Sequence, residues 1–113
     1  MFSITVPLDY TQTKTFIKNF QKIDKTIQER LKEEMSRILR NPKDSYDTLK
    51  NPSHKGCRTC RVGDYRFIYI YCKEAREFEA SGFITKQIID GHPDEIIIFL
   101  DVGHRNQIYK NYN

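Results

Sequence analysis

Arg61 and Arg66 bracket a Gly63-Asp64 turn in the stretch RVGDYRFIYIY, residues 61–71. Arg66 lies in a run that otherwise reads as a core strand. A guanidinium cannot shed its charge, so an interior place is costly unless something anionic meets it. The surrounding charge points the same way. Over residues 49–66, Lys50, Lys55, Arg58, Arg61 and Arg66 stand against Asp64 alone, and over residues 103–113 Arg105 and Lys110 face no acid. Residues 67–102 are net acidic. If the fold joins the central segment to the C-terminal one, the result is an anion site, with phosphate the obvious occupant. The competing reading is a set of ordinary solvated cations.

A second chemistry is worth weighing. His54, Cys57, Cys60 and Cys72 are four possible zinc ligands, and Cys57-x-x-Cys60 has half-site spacing. An i, i+3 pair within a strand points to opposite faces, however, and no second such pair exists. No metal and no cofactor is expected. Three cysteines also make a poor disulfide framework. The first residues, MFSITVPLDY, lack the basic start and apolar core of a signal peptide, and no run of about 18 apolar residues occurs. The expectation is a cytoplasmic protein with no membrane contact.

The 113 residues, with 38% hydrophobic and 30% charged side chains, suit one domain over residues 1–113. Phe2, Ile4 and Val6 alternate with Ser3 and Thr5 as in a first strand, closed by Pro7. Asp9 or Thr11 can cap a helix carrying Phe16, Ile17 and Phe20. Ile23, Ile27, Leu31, Met35 and Ile38 mark a longer helix over Lys22–Leu39, ended by Asn41-Pro42. The short joint predicts an antiparallel helical hairpin. Residues 41–56 read as loop. Arg58–Val62 and Tyr65–Cys72 read as strands about the turn, Phe83–Ile89 as a further strand, and Glu95–Val102 as an apolar one that should lie centrally. Residues 103–113 read as a tail. The order gives an α+β fold, with the helix pair on one face of a mainly antiparallel, curved sheet of four or more strands. The opposite face is expected to be concave, open and basic.

Taken together, a helix ending in ILRNP, then RVGDYRFIY, then an apolar strand running into VGHRNQIY resemble the RelE/ParE toxin superfamily over most of the chain. The resemblance implies a small toxin of a toxin–antitoxin pair, bound by a cognate antitoxin protein. RelE-type members cut mRNA on the ribosome; ParE-type members inhibit DNA gyrase without catalysis. A non-toxic binding module of the same fold is a further alternative. Carried over by position, the resemblance implicates Arg61, Arg66, Arg105 and Tyr109 as catalytic residues. The sequence departs from the RelE pattern in two ways. Cys57 and Thr59 stand where such enzymes often carry lysines, and the chain is extended over about residues 73–91.

Cutting RNA by attack of a 2′-hydroxyl needs a base, a cationic clamp for the crowded phosphorane and an acid for the leaving 5′ oxygen. Arginines supply the clamp, and one preorganised donor is worth roughly 2.7–4 kcal/mol in comparable oxyanion sites. Tyr109 and His104 are the proton-transfer groups on offer. Tyrosine titrates near ~10, so it needs cations close by to act as a base. A site short of a conventional base would lean on the ribosome to position its substrate. Lys50, Lys55, Arg58, His104 and Lys110 are the remaining candidate RNA contacts, and no small-molecule ligand is expected. Each candidate has a plainer reading: Arg66 pairing with Asp64 or Glu95, Tyr109 packing on the sheet, His104 simply exposed.

Overall fold

The computed structural model describes residues 6–44, 47–78 and 81–112. The strand expected at Phe2–Val6 lies outside them except for Val6. The first described strand is instead β1, Asp9–Gln12, which pairs parallel with the last strand, β5 (Ile96–His104). The cap therefore falls later than expected. The Thr13 hydroxyl accepts the Phe16 N–H and donates to the Leu100 carbonyl, so one side chain starts α1 (Lys14–Gln21) and ties it to β5. Asp24 caps α2 (Lys25–Arg40) through the Thr26 N–H. The helical hairpin is as expected, with its joint at residues 22–24.

After α2 the chain forms the two-residue β2 (Asp47–Thr48) and a 3₁₀ turn, Pro52–His54. The hairpin of β3 (Arg58–Val62) and β4 (Tyr65–Tyr71) follows. Of the two loop residues only Gly63 has positive φ, +58°, the left-handed region where glycine fits best. Among the described residues, five strands form one sheet in the order β1-β5-β4-β3-β2, β1 and β5 pairing parallel and the other neighbours antiparallel. β5 is thus interior, although β4 holds the middle.

Two apolar clusters sit on the two faces. Phe16, Leu31, Met35 and Ile38 pack on Cys60, Val62, Phe67, Tyr69, Ile97 and Phe99. Phe99 is fully buried among the rings of Tyr10, Phe16, Phe67 and Tyr69, so truncating it to alanine would cost about 3–5 kcal/mol. The second cluster contains Leu49, Cys57, Ile68, Ile70, Ile98 and Ile108.

That second face is covered rather than open. Residues 73–82, which have no clear period, begin with α3 (Cys72–Glu77). Phe83–Ile89, expected as a strand, is α4. Thr85 and Ile89, one turn apart, are its buried stripe. Gly82 lets α4 start hard against the 3₁₀ turn: a Cβ there would lie 2.1 Å from the Ser53 carbonyl oxygen, and the Gly82 N–H donates to Lys55. Arg76 holds the far end, pairing with Asp94 and donating to the Ile89 and His92 carbonyls. The expected tail is likewise a helix, α5 (Arg105–Tyr112), whose Ile108 is buried on the sheet.

Candidate anion and nucleic-acid site

The hairpin register sets Arg61 opposite Arg66, and the β4–β5 register sets Arg66 opposite Gly103 and Tyr65 opposite His104. Val62 and Phe67, their sequence neighbours, belong to the cluster under the helical hairpin. Strand alternation therefore puts both arginines on the other face, at the end of the sheet where α5 begins.

Arg66 is only 4% exposed. Its Nη1 donates to the carbonyls of Gly63 (2.9 Å) and Tyr65 (2.8 Å), which locks the turn. Its Nε donates to the Tyr109 hydroxyl oxygen at 3.3 Å, and its Cζ lies 5.9 Å from the centre of the tyrosine ring. Neither expected acid meets it. The Glu95 carboxylate accepts from the Tyr71 hydroxyl and pairs with Lys73. Asp64 takes part through its carbonyl, which accepts the Arg105 N–H at 2.8 Å. Among the described residues no carboxylate pairs with Arg66. Among the described residues this buried guanidinium is therefore met by carbonyls, a phenol and a ring face, with no carboxylate to neutralise it.

Arg105 opens α5, exposed and held at its backbone by the hairpin turn. Tyr109, one turn on, is 40% exposed. The structure thus brings Arg61, Arg66 and Tyr109 together and fixes the Arg105 backbone beside them. His104 borders the same end. Its Nδ1 accepts the Asn106 N–H at 3.3 Å, and its ring meets Tyr65 edge-on at 5.9 Å. Lys110 is exposed on α5.

The other candidate RNA contacts lie elsewhere. Lys50 and Lys55 flank the start of β3, where the Leu49 N–H donates to Cys57. Four residues of strand, about 13 Å, separate that point from Arg61. Arg58 is committed to Glu74 on α3, with Nε to Oε2 at 2.8 Å and Nη2 to Oε1 at 2.7 Å. That hydrogen-bonded carboxylate raises the Arg58 pKa. The pair borders a cavity of about 200 Å³ shared with Thr48, Leu49, Lys55 and Phe78. Cys57 and Cys60 fall in different clusters, as alternation requires, and among the described residues no group of His, Cys, Asp or Glu could hold a metal ion.

Asp101 and Tyr112, which shape this end of the sheet, are not evident from sequence. Asp101, 4% exposed, takes hydrogen bonds from Asn19, from its neighbour Val102 and from the Tyr112 hydroxyl. The one signal was its place in the apolar run IIIFLDV, where a lone carboxylate needs donors.

A helix pair on a small mixed sheet, with arginines at one hairpin and a final helix beside them, defines a known toxin fold. The isolated RelE toxin of E. coli is similar with TM-score 0.61 and 17% identity, over 92% of this chain and 93% of that one. The toxin–antitoxin complex RelBE2 of Mycobacterium tuberculosis matches at 0.63 and 20%, over 90% and 95%. The RelB–RelE complex of Methanococcus jannaschii matches at 0.55 and 22%, over 90% and 98%. No curated protein matches significantly in sequence. Residues 10–79 match the family model described as the ParE toxin of the type II toxin–antitoxin system parDE. The chain belongs to that family, within the RelE/ParE superfamily. The matched segment includes Arg61 and Arg66 and ends before β5 and α5.

Proposed function

We propose that this protein is a ribosome-dependent mRNA endonuclease, kept inactive in the cytoplasm by a cognate antitoxin protein. The observation that carries the reading is Arg66: a buried cation with no carboxylate partner among the described residues, held against Tyr109. Its hydrogen bonds use Nε and Nη1, which leaves Nη2 for a phosphate oxygen. Arg61, across the hairpin, adds a second cation on the same face, and Arg105 a third at the start of α5. In the reaction the ribose 2′-oxygen attacks phosphorus and gives its proton to a base, the bond from phosphorus to the 5′ oxygen breaks to leave a 2′,3′-cyclic phosphate, and the departing 5′ oxygen takes a proton from water. Tyr109 takes part at the hydroxyl. The arginines stabilise the dianionic phosphorane. With no carboxylate paired to Arg66 among the described residues, positioning by the ribosome supplies much of the rate. The complexes of RelE with RelB from other organisms support the expectation of an antitoxin here.

A second reading follows from the family model, whose description names parDE: a gyrase inhibitor that binds without catalysis. Primer extension on cellular mRNA after induction separates the two. In-frame cuts confined to translated messages support the endonuclease. Intact messages with induced DNA damage would replace it with the gyrase reading.

A further inference from the structure

α5 has eight residues and one fully buried apolar side chain, Ile108, so packing alone holds it weakly. Three hydrogen bonds supplement that contact. At its start the Arg105 N–H meets the Asp64 carbonyl, and midway Tyr109 meets Arg66. At its end the Tyr112 hydroxyl donates to Asp101 Oδ2 at 2.6 Å. Tyr112 lies three residues from Tyr109 and four from Ile108, so the three share adjacent helix faces. The His54 ring packs edge-on against Tyr112 at 5.2 Å. Burial, reinforced by Asp101, holds the Tyr112 phenol well above its ordinary pKa, so it remains a donor.

We infer that Tyr112, through its hydrogen bond to buried Asp101, is a positioning residue that sets the rotation of α5 and so holds Tyr109 against Arg66. Asp101 is suited to this. Its own place is fixed by Asn19 on α1 and by the Val102 N–H, and nothing in the proposed chemistry uses it. Without the Tyr112 hydroxyl, the last turn of α5 loses its tie to the sheet. Tyr109 then moves relative to a guanidinium that two carbonyls keep still. The consequence for RNA cleavage rests on the proposed function; the structural consequence does not.

The test uses the full chain with Tyr112→Phe, which keeps the ring and its packing, and reads the Arg66 Nε–H by NMR. The expected result is a shifted Nε–H signal that exchanges with solvent at least about tenfold faster, with the amides of β4 and β5 unchanged. Asp101→Asn should preserve the wild-type signal, because an amide can donate to the phenol oxygen in place of accepting from it. Asn111→Ala, an exposed change on the same turn of α5 that leaves the Asp101 bonds in place, should also preserve it. An unchanged Arg66 signal in Tyr112→Phe, or an equal change in Asn111→Ala, would overturn the inference. If the wild type cleaves RNA, Tyr112→Phe should slow cleavage about tenfold to hundredfold, as a displacement of about 1 Å can. If the wild type does not cleave, the proposed function fails while the NMR comparison still decides this point.

Discussion

Arg66 donates through Nε to the phenolic oxygen of Tyr109 at 3.3 Å, although 43 residues separate them in sequence. The contact joins the hairpin to the final helix. It also explains how a guanidinium sits in the sheet without a carboxylate partner among the described residues: the Gly63 and Tyr65 carbonyls fix one nitrogen, and Tyr109 takes another. The cation is positioned by neutral groups.

Arg66→Lys should therefore fail nearly as badly as Arg66→Ala. Lysine keeps the charge but lacks the planar fork that reaches two carbonyls and a phenol together. Growth arrest on expression, scored beside circular dichroism of the purified variants, checks this. The expectation is a folded protein with at least about tenfold less toxicity. A fully toxic Arg66→Lys variant would mean that geometry at this position is immaterial.

Arg58 should matter for stability rather than for RNA. Its ion pair with Glu74 is mostly buried and doubly hydrogen-bonded, so Arg58→Ala or Glu74→Ala should cost about 1–3 kcal/mol. Urea unfolding measures the loss. The Glu74 variant discriminates: a phosphate-contact role for Arg58 would leave that variant's midpoint near wild type.

Acid should weaken the fold through His54. Burial lowers its pKa, and its Nδ1 is buried without a partner among the described residues. The unfolded chain therefore takes the proton first. Stability from this site is complete above the ordinary histidine value of 6.5 and declines as pH falls through the lower folded-state value. Thermal melts from pH 7.5 to 5 should show a shallower decline for His54→Phe than for the wild type. Parallel curves would remove His54 as the cause.

Cys57 should resist alkylation. Burial raises its thiol from 9.0 to about 11, partly offset by a contact with Thr85, so its thiolate is roughly a hundredfold scarcer than in a free thiol. At pH 8 iodoacetamide should modify Cys57 of the native protein far more slowly than that of the urea-unfolded chain. The same shift means stability from this site is lost as pH rises from about 9 through 11. Equal labelling rates would contradict the buried placement.

The parts that were legible in sequence are those where local pattern and tertiary demand agree. The stripe of Leu31, Met35 and Ile38 gave α2, and Gly63-Asp64 between alternating strands gave the hairpin. Arg66 stood out because its charge contradicted its strand. The misreadings have physical causes. Asp9–Gln12 has no apolar pattern and is a strand because the exposed edge of β5 imposes parallel pairing. FITKQII is rich in Ile and Thr, which favour strands, yet its Thr85–Ile89 stripe is helical. α5 buries Ile108 alone, too little for a period to show, and so the cover over the arginine face was hidden. Arg58 looked available because Glu74 is 16 residues away, on a helix that the sequence did not announce.

Cleavage of a translated message in a reconstituted ribosome system decides whether the protein is an endonuclease. Wild-type protein should cut mRNA held in the ribosome and leave free RNA nearly intact, while Arg66→Ala, Arg105→Ala and Tyr109→Phe cut at least about a hundredfold more slowly. No cleavage by the wild type, or undiminished cleavage by the Arg66 and Tyr109 variants, would contradict it.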